Sequence, residues 1–537
     1  MSHSIVCTDL SFDWADGTAV FSGLNAAFDR GRTGLIGRNG SGKSTLLKLI
    51  TGRLAPDSGT ITTVGDVGYL DQRLTLDTGQ SVADLLGIAR TRAALRAIEA
   101  GDASEANFTA VGDDWDIEER AIAELARFGI SLGPSGTGDP LDRTVGTLSG
   151  GEAVLTGLAG LLLRRPAITL LDEPTNNLDR RARGLLYEAV DSWRGVLVVV
   201  SHDRELLDRV DQIAELRDGR LRTWGGNYTA YTEQLAAEQE AAQRMVRAAE
   251  AEVRREKRQL VEARTKLDRR LRYGNKMYES KREPKIVMNA RKREAQVSAG
   301  KHRIMQTEKV EEAEQALAES EAAVRDDDRI RIALPDTDVP AGRDVLQLAT
   351  PQGALYVRGP ERIALVGDNG SGKTTLLRAI TGGADHPVVR VVRATDRIGY
   401  LPQRLDILDD RLSVMDNVRA AAPSATPHEV RANLARFLIR GDRVDQTAGE
   451  LSGGERFRVS LACLLLADPP PQLLVLDEPT NNLDLDSVRQ LTEALAAYRG
   501  ALLVAGHDTA FLADIGVTRW WRVERGRAPV DTDPLQD

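Results

Sequence analysis

Short apolar runs rich in β-branched residues alternate with helical patterns in two long parts of the chain. The runs at 168–171 and 473–476 are each followed directly by an Asp-Glu pair, and those at 196–200 and 501–504 are each followed within three residues by a histidine. Continuous apolar runs of this length indicate strands buried on both faces of a parallel sheet. The pattern predicts α/β domains, whose ligands bind where the strands end.

A stretch with a different pattern, from about 232 to 326, separates the two parts and is rich in Ala, Glu, Arg and Lys. Apolar residues recur in it every seven positions. They are Val246, Val253, Leu260 and Leu267, followed later by Val310, Leu317 and Val324. This spacing predicts two helices packed as an antiparallel coiled-coil hairpin. We expect the turn between Gly274 and Pro284, where Gly, Asn and Pro interrupt helix.

Composition narrows the class of protein. The 537 residues, 28% of them charged, suggest two to four domains with sizeable cores. No apolar run reaches the roughly 18 residues that a membrane helix needs, and residues 1–4 lack the pattern of a secretory signal. The two cysteines, Cys7 and Cys463, cannot form a disulfide framework and fit a reducing compartment. We therefore expect a cytoplasmic protein with no membrane partner and exclude membrane, secreted and collagen-like classes.

The apolar pattern is accompanied by a long internal repeat. Residues 37–45 return at 367–375, the Leu-Ser-Gly-Gly-Glu segment at 148–152 returns at 451–455, and 171–179 returns unchanged at 476–484. The lysines of the first segment are 330 residues apart and the glutamates of the last are 305 apart, so the first copy carries about 25 extra residues. We place these in the polar, Ala-rich stretch 89–116.

The repeat and the helical stretch define three regions: a first domain at 1–231, a helical linker at 232–329 and a second domain at 330–537.

Both copies begin with the phosphate-binding pattern GxxxxGK[ST]. Its glycines let backbone N–H groups wrap phosphates at a helix N-terminus. The candidate ATP-binding residues of the two loops are Gly37, Asn39, Gly40, Gly42, Lys43, Ser44 and Thr45, with Gly367, Asn369, Gly370, Gly372, Lys373, Thr374 and Thr375. The lysines would neutralise the β- and γ-phosphates, while Ser44 and Thr374 would hold Mg²⁺.

The strand-end residues supply the remaining chemistry of hydrolysis. Asp172 and Asp477 place a carboxylate beside the metal, and the adjacent Glu173 and Glu478 can polarise the attacking water. The other candidates are His202 and His507 as γ-phosphate contacts, and Gln72 and Gln403 as links between metal and water. The alternative interpretation of either glutamine is a polar loop residue without a function.

Ser-Gly-Gly segments provide a helix N-terminus and a hydroxyl that can cap a γ-phosphate. The set of P-loop, glutamine, Leu-Ser-Gly-Gly-Glu, Asp-Glu and histidine, present twice in this order, resembles tandem ATP-binding-cassette (ABC) proteins. That resemblance implies two cassettes that sandwich two ATP molecules head to tail. One site would join Lys43, Glu173 and His202 to Ser452, Gly453 and Gly454. The other would join Lys373, Glu478 and His507 to Ser149, Gly150 and Gly151.

The charged linker narrows the resemblance to the ABC-F branch, as do residues 225–231 before it and Leu178 after Asn176-Asn177. ABC-F members are soluble ATPases that bind the ribosomal tRNA exit site and push the linker toward the peptidyl-transferase centre. Some are translation factors and others rescue ribosomes from antibiotics. The resemblance implies large-subunit rRNA and tRNA as partners, and a monomer whose cassettes pair within one chain.

The two copies differ at positions that bear on their sites. Residues 153–155 are Ala-Val-Leu, where the second copy has Arg-Phe-Arg at 456–458, nearer the family pattern. Trp14 is placed to stack on adenine, whereas the equivalent region near Asp344 has no aromatic residue. Gly506 stands where the first copy has a serine before its histidine. These differences predict two unequal ATP sites.

The linker also carries a local positive charge in a chain of net charge −9: residues 254–303 hold 18 Lys and Arg against 6 Asp and Glu. The candidate RNA-binding residues lie toward the predicted tip. They are Arg269, Arg270, Arg272, Tyr273, Lys276, Tyr278, Lys281, Arg282, Lys285, Arg291, Lys292 and Arg293. Tyrosines can stack on unpaired bases, and phosphate contacts make binding salt-dependent. A solvated coiled coil without a ligand is the alternative.

Two other functions remain open on the sequence. The first is an energising subunit of a transporter, against which the basic hairpin and the fused cassettes argue. The second is a DNA-repair ATPase, a class whose coiled coils generally interrupt one cassette, whereas both are whole here.

Overall fold

The computed structural model describes residues 4–72, 79–130, 139–176, 178–279, 304–322, 324, 334, 337–404, 406–481 and 483–533. One compact unit comprises Met1–Tyr228 together with Arg329–Asp537, and a second comprises Thr229–Asp328. We call 4–228 the first half and 334–533 the second half of the larger unit. Within the ranges given above, no helix is both long and apolar enough to cross a bilayer.

The first half contains a mainly parallel sheet in the order β5-β6-β7-β3-β8-β9 and a smaller antiparallel sheet in the order β2-β1-β4. Its strands are β1 (Ile5–Asp13), β2 (Ala19–Phe28), β3 (Gly31–Ile36), β4 (Ser58–Thr63), β5 (Val67–Leu70), β6 (Ile168–Asp172), β7 (Val196–Val200), β8 (Gln212–Arg217) and β9 (Arg220–Gly225). Its helices are α1 (Lys43–Ile50), α2 (Val82–Leu86), α3 (Ala89–Glu99), α4 (Glu105–Val111), α5 (Ile117–Arg127), α6 (Gly150–Arg164), α7 (Arg180–Asp191) and α8 (Arg204–Leu207).

The linker contributes α9 (Tyr228–Glu279) and α10 (304–322). The second half repeats the arrangement of the first, with sheets in the orders β14-β15-β16-β12-β17-β18 and β11-β10-β13. Its strands are β10 (Asp344–Thr350), β11 (Gly353–Arg358), β12 (Arg362–Val366), β13 (Arg390–Ala394), β14 (Ile398–Leu401), β15 (Leu473–Asp477), β16 (Ala501–Ala505), β17 (Arg519–Arg522) and β18 (Val530–Thr532). Its helices are α11 (Lys373–Ile380), α12 (Val414–Ala421), α13 (Pro427–Arg436), α14 (Gly453–Leu465), α15 (Leu485–Ala497) and α16 (Thr509–Asp514).

The four apolar runs form β6, β7, β15 and β16, which confirms the predicted α/β class. Every residue of β7 is fully buried, and its side chains alternate between two cores. Val196 and Val198 pack with the small sheet and α1, whereas Leu197 and Val199 pack with α6 and α7. A strand covered on both faces has no polar side, which explains the continuous apolar run.

The close approach of two helices in the first half can be tested at Gly160. A Cβ added there would lie 2.6 Å from the Leu86 carbonyl oxygen at the end of α2. We expect Gly160→Ala to lower the free energy of unfolding by about 2 kcal/mol, because neither backbone can yield without disturbing the packing. Gly184→Ala in α7 is the matched control: its Cβ would meet no described atom within 4 Å, so it should gain roughly 0.5–1 kcal/mol. Urea unfolding curves measure both, and equal shifts would contradict the close contact.

The second unit contains the linker helices α9 and α10. Heptad residues Val253 and Val310 are buried, and Lys257 Nζ lies 2.6 Å from Glu314 Oε1, joining α9 to α10. The helix does not break at Gly274-Asn275, where the range predicted for the turn begins, because α9 continues through both residues to Glu279. The rest of that range, 280–284, lies outside the described residues. One glycine costs a helix only about 1 kcal/mol, too little to end so long a segment. The coiled-coil pairing of the remaining heptad positions stays a prediction.

Candidate active sites

The loop between β3 and α1 is shaped to receive an anion. Gly37, Gly40 and Gly42 have φ values of 155°, 81° and 100°, which turn successive backbone groups toward one side. Lys43 is buried and its Nζ donates to the Gly37 carbonyl at 2.7 Å. Ser41 Oγ is buried with no hydrogen-bond partner in the described part of the chain. An unpaired buried hydroxyl and a lysine across a glycine-rich loop fit the phosphates of a nucleotide.

A hydroxyl–carboxylate pair lies beside this loop. Ser44 Oγ donates to Asp172 Oδ1 at 3.0 Å, and the Tyr69 hydroxyl donates to Asp172 Oδ2 at 3.1 Å. Asp172 is only 2% exposed, and burial raises the pKa of its carboxyl, opposed by these two hydrogen bonds. Hydroxyl and carboxylate oxygens are donors that Mg²⁺ prefers. The side chains present therefore fit a magnesium ion bound together with phosphates.

Glu173 follows in a backbone conformation that side chains rarely adopt, with φ of 50°. Its N–H donates to the Val200 carbonyl at 2.9 Å, and His202 Nε2 lies 3.1 Å from its Oε1. Strain of this kind costs about 1–3 kcal/mol and clusters at functional sites. Burial raises the pKa of Glu173, the charge of Lys43 opposes that rise, and burial lowers the pKa of His202.

A cavity of about 400 Å³ opens over these residues, a volume that suits a small-molecule ligand. From the first half it is lined by Trp14, Val20, Asn39, Gly40, Gly42, Lys43, Ser44, Thr45, Gln72, Glu173, Thr175, Asn176, Arg183, Val200, His202 and Asp203. The second half contributes Thr480, Asn481, Leu483, Val488 and Asp508. Trp14, 42% exposed, is fixed by an edge-on contact with Phe12 at 5.1 Å between ring centroids.

The second half builds the same phosphate loop. Lys373 Nζ donates to the Gly367 carbonyl at 2.6 Å and also lies 3.1 Å from His507 Nε2. Ser371 Oγ, like its counterpart in the first half, is buried without a partner among the described residues. Burial lowers the pKa of Lys373, and the carboxylate of Glu478 opposes that change.

Its strand-end carboxylates repeat the arrangement with looser contacts. Thr374 Oγ1 donates to Asp477 Oδ1 at 3.2 Å, and the Tyr400 hydroxyl is 3.5 Å from Asp477 Oδ2. Glu478 has φ of 48°, and its Oε1 is 3.4 Å from His507 Nε2. The corresponding cavity measures about 330 Å³. It is lined by Leu178, Arg183, Asn369, Gly370, Gly372, Lys373, Thr374, Thr375, Gln403, Glu478, Asn481 and His507.

Contacts between the halves reach the first phosphate loop directly. The Asn39 N–H donates to Asp484 Oδ2 at 2.7 Å, and Arg38 Nε lies 3.2 Å from Asp486 Oδ2. Asp484 also caps α15 by accepting from the Ser487 N–H at 2.8 Å. A shift of α15 would therefore displace or break these contacts with the first phosphate loop.

The Leu-Ser-Gly-Gly-Glu serines begin helices, as their pattern indicates. Ser149 forms a capping box with Glu152 at the start of α6, and Ser452 does so with Glu455 at the start of α14. The residues proposed to cap ATP from across the sandwich do not line either cavity. They are Ser149, Gly150, Gly151, Ser452, Gly453 and Gly454. Their contact with nucleotide stays a prediction.

Sequence reasoning missed Tyr69 and Tyr400, which hold the metal-side carboxylates. Both occur in a Gly-Tyr-Leu string that the repeat duplicates immediately before Gln72 and Gln403, so the repeat alone could have identified them. It also missed Asp484, although this residue ends the segment 476–484 that repeats 171–179. It missed Arg183 as well, for which no motif offered a signal.

Few of the proposed RNA-binding side chains can be placed. Arg269 and Arg272 are exposed on α9. Arg270, Tyr273, Lys276 and Tyr278 belong to α9, but their side chains lie outside the description. Lys281, Arg282, Lys285, Arg291, Lys292 and Arg293 lie outside the described residues.

Comparison with known proteins agrees with this geometry. The family model described as "ABC transporter" matches residues 22–176 and 353–481, one stretch in each half. The tylosin resistance ATP-binding protein TlrC of Streptomyces fradiae is 32% identical over 532 residues, covering 92% of each protein. The ATP-binding protein Uup of Escherichia coli is 31% identical, covering 93% of this chain and 76% of Uup.

Two solved structures share the fold. The RNase-L inhibitor aligns with 98% of this chain and 91% of its own, with a TM-score of 0.53 and 17% identity. An archaeal ribosome recycling factor, solved with a ribosomal stalk protein, aligns with 98% and 90%, with a TM-score of 0.52 and 18% identity. At these identities they support the fold alone.

Fold, loops and family match together define an ATP-binding-cassette ATPase. The chain belongs to the ABC-F family of tandem ATP-binding-cassette proteins, and it binds and hydrolyses ATP. Its first and second halves are the two cassettes.

Proposed function

We propose that this chain is a cytoplasmic, monomeric ABC-F ATPase that binds the ribosome near the tRNA exit site. Closure of its cassettes on ATP would place the linker near the peptidyl-transferase centre, for protection from antibiotics or for regulation of translation. Membership of the ABC-F family supports ribosome binding, and similarity to a protein named for tylosin resistance supports a role in protection. We propose that its three regions span 1–231, 232–329 and 330–537.

One observation carries the proposal: residues of each cassette line the cavity of the other. A ligand bound in either cavity therefore contacts both cassettes. Such a ligand binds the closed arrangement of the cassettes more tightly than an open one, which is the condition for shifting the equilibrium toward the closed arrangement. Because the linker connects the two cassettes along the chain, we expect a change in their arrangement to move the linker.

The two sites use equivalent residues for phosphate binding and hydrolysis. Lys43 and Lys373 bind phosphates, with Trp14 stacking on adenine in the first site only. Glu173 and Glu478, each beside a histidine, orient and activate the attacking water. A bound Mg²⁺ would neutralise phosphate charge. Ser44 and Asp172 would hold it in the first site and Thr374 and Asp477 in the second, with Gln72 and Gln403 nearby.

The exposed Arg269 and Arg272 support an electrostatic interaction of the linker with RNA phosphates. Large-subunit rRNA and tRNA are the partners that we propose for this basic region. α10 also carries acidic residues, among them Glu311 and Glu312, so we expect the net positive charge of the linker to lie toward its predicted tip.

The test is sedimentation of the full chain with ribosomes. With ATP, the Glu173→Gln, Glu478→Gln variant should remain bound to ribosomal particles, because the cassettes close and the hydrolysis that would release them is blocked. With ADP it should stay in the supernatant. Added salt should weaken the complex, since phosphate contacts release counterions.

The matched control is the Lys43→Met, Lys373→Met variant, which should not sediment with either nucleotide. Retention that is the same with ATP, with ADP and in this control would contradict ATP-gated binding. Preference for duplex DNA over ribosomes would instead favour a DNA-repair ATPase.

A further inference from the structure

The two nucleotide cavities receive different residues from the opposite cassette at one position. The catalytic glutamates are 305 residues apart, and the same offset relates Arg183 on α7 to Val488 on α15. Val488 lines the first cavity, and Arg183 lines the second. The second site thus faces a guanidinium from the other cassette where the first faces an apolar side chain. Arg183 also borders the first cavity, from within its own cassette.

Arg183 is partly buried, with part of its hydrogen-bonding capacity unused. Its side chain is 16% exposed, and its Nη1 lies 3.5 Å from Asp203 Oδ2. That carboxylate already accepts from the Tyr187 hydroxyl at 2.8 Å and caps α8 through the Leu206 N–H at 3.1 Å. Within the described chain, Arg183 Nε is buried and has no partner. A buried donor without a hydrogen-bond partner lowers the stability of the fold, so the presence of this donor calls for a physical explanation.

The positive charge of Arg183 lowers the pKa values of Glu478 and His507 in the second site. Burial raises the pKa of Glu478, while Lys373 and Arg183 both lower it. Burial also lowers the pKa of His507, and the same two cations lower it further. Asp508, the second cassette's equivalent of Asp203, is raised in pKa by burial and lowered by Arg183. Arg183 lines the same cavity as Lys373, Glu478 and His507, so its guanidinium lies among the groups that surround the proposed γ-phosphate position.

We propose that Arg183 is a ligand of the γ-phosphate of ATP in the second site, donated by the first cassette. The inference rests on the proposed assignment of Lys373, Glu478 and His507 to an ATP site. A guanidinium matches phosphate oxygens with parallel, charge-assisted hydrogen bonds. ADP lacks the γ-phosphate, so this contact makes the second site discriminate ATP from ADP. The first site, which faces Val488, lacks this contribution from the opposite cassette.

The experiment isolates the second site. In a Lys43→Met, Glu478→Gln chain, only the second site binds nucleotide and hydrolysis is blocked. Adding Arg183→Val, which introduces the residue of the first site, should raise the dissociation constant for ATP about 10-fold or more. The dissociation constant for ADP should change little. Calorimetric titration with ATP and with ADP measures both. Arg183→Lys, which keeps the charge but loses the planar fork, should give an intermediate loss.

Arg181→Val is the matched control, because Arg181 is an exposed arginine on the same helix; its affinity for ATP should be unchanged. Equal losses for ATP and ADP, or no loss for either, would overturn the proposal. Lys373→Met in the same chain separates the two levels of inference. If it leaves ATP bound, the site assignment fails and the role of Arg183 fails with it. If it removes ATP while Arg183→Val leaves the preference for ATP intact, only the role of Arg183 fails.

Discussion

ATP hydrolysis by the Glu173→Gln, Glu478→Gln variant should fall at least about 100-fold, the usual contribution of a general base, while ATP binding persists. Each glutamate is held beside a histidine, at 3.1 Å in the first site and 3.4 Å in the second. The amide keeps the size of the side chain and its ability to hydrogen-bond to water. It loses the basic oxygen that accepts the proton. Phosphate release under saturating ATP measures turnover, and equilibrium titration with ATP measures whether ATP binding persists.

Glu188→Gln provides the control, because Glu188 is an exposed glutamate on α7; it should leave turnover unchanged. The single variants Glu173→Gln and Glu478→Gln report how the sites share the work. Turnover of the double variant within a few-fold of the unsubstituted chain would remove both glutamates from the mechanism. Loss of ATP binding in parallel with turnover would show that they act by holding the loops.

The parts of the fold that could be predicted are those in which local sequence and tertiary environment agree. Strand β7 is apolar at every position because both of its faces are covered, so its sequence carries the signal of its surroundings. The phosphate loops could be predicted equally well, since Gly37 and Gly367 adopt positive φ angles that few other residue types tolerate. In the strand and in the loops alike, the structural constraint determines the residue types at the same positions, so the sequence pattern shows it directly.

The contacts that cross between cassettes could not be predicted from such patterns. Asp484 bonds the Asn39 N–H across 445 residues, yet in sequence it is one more helix cap, like Asp179. Arg183 is one of several arginines at the start of α7, and only packing distinguishes it from its exposed neighbours. Gly274 does not interrupt α9, because the cost of one glycine is small beside the stability of the long helix on either side of it.

Gly367→Ala should weaken ATP binding at the second site by roughly 100-fold and destabilise the second cassette by about 3 kcal/mol, combining backbone strain with overpacking. Gly367 has φ of 150°, and a Cβ there would lie 2.2 Å from the Val523 carbonyl oxygen. That carbonyl belongs to a residue whose own N–H donates to Val366 at 2.8 Å. The loop and the end of β17 are therefore fixed to each other, and the loop has to move.

Movement of about 1 Å at such a loop is enough to lose roughly 100-fold in function, because Lys373 is held by the Gly367 carbonyl itself. Gly383→Ala, in the same cassette, is the matched control: its Cβ would lie 3.6 Å from the nearest described atom, an ordinary contact. Thermal unfolding and ATP titration of both variants test the expectation. If Gly367→Ala bound ATP and unfolded like the control, the loop would have room that its contact with Val523 denies. Phosphate binding by the backbone of this loop would then not depend on the close contact between Gly367 and Val523.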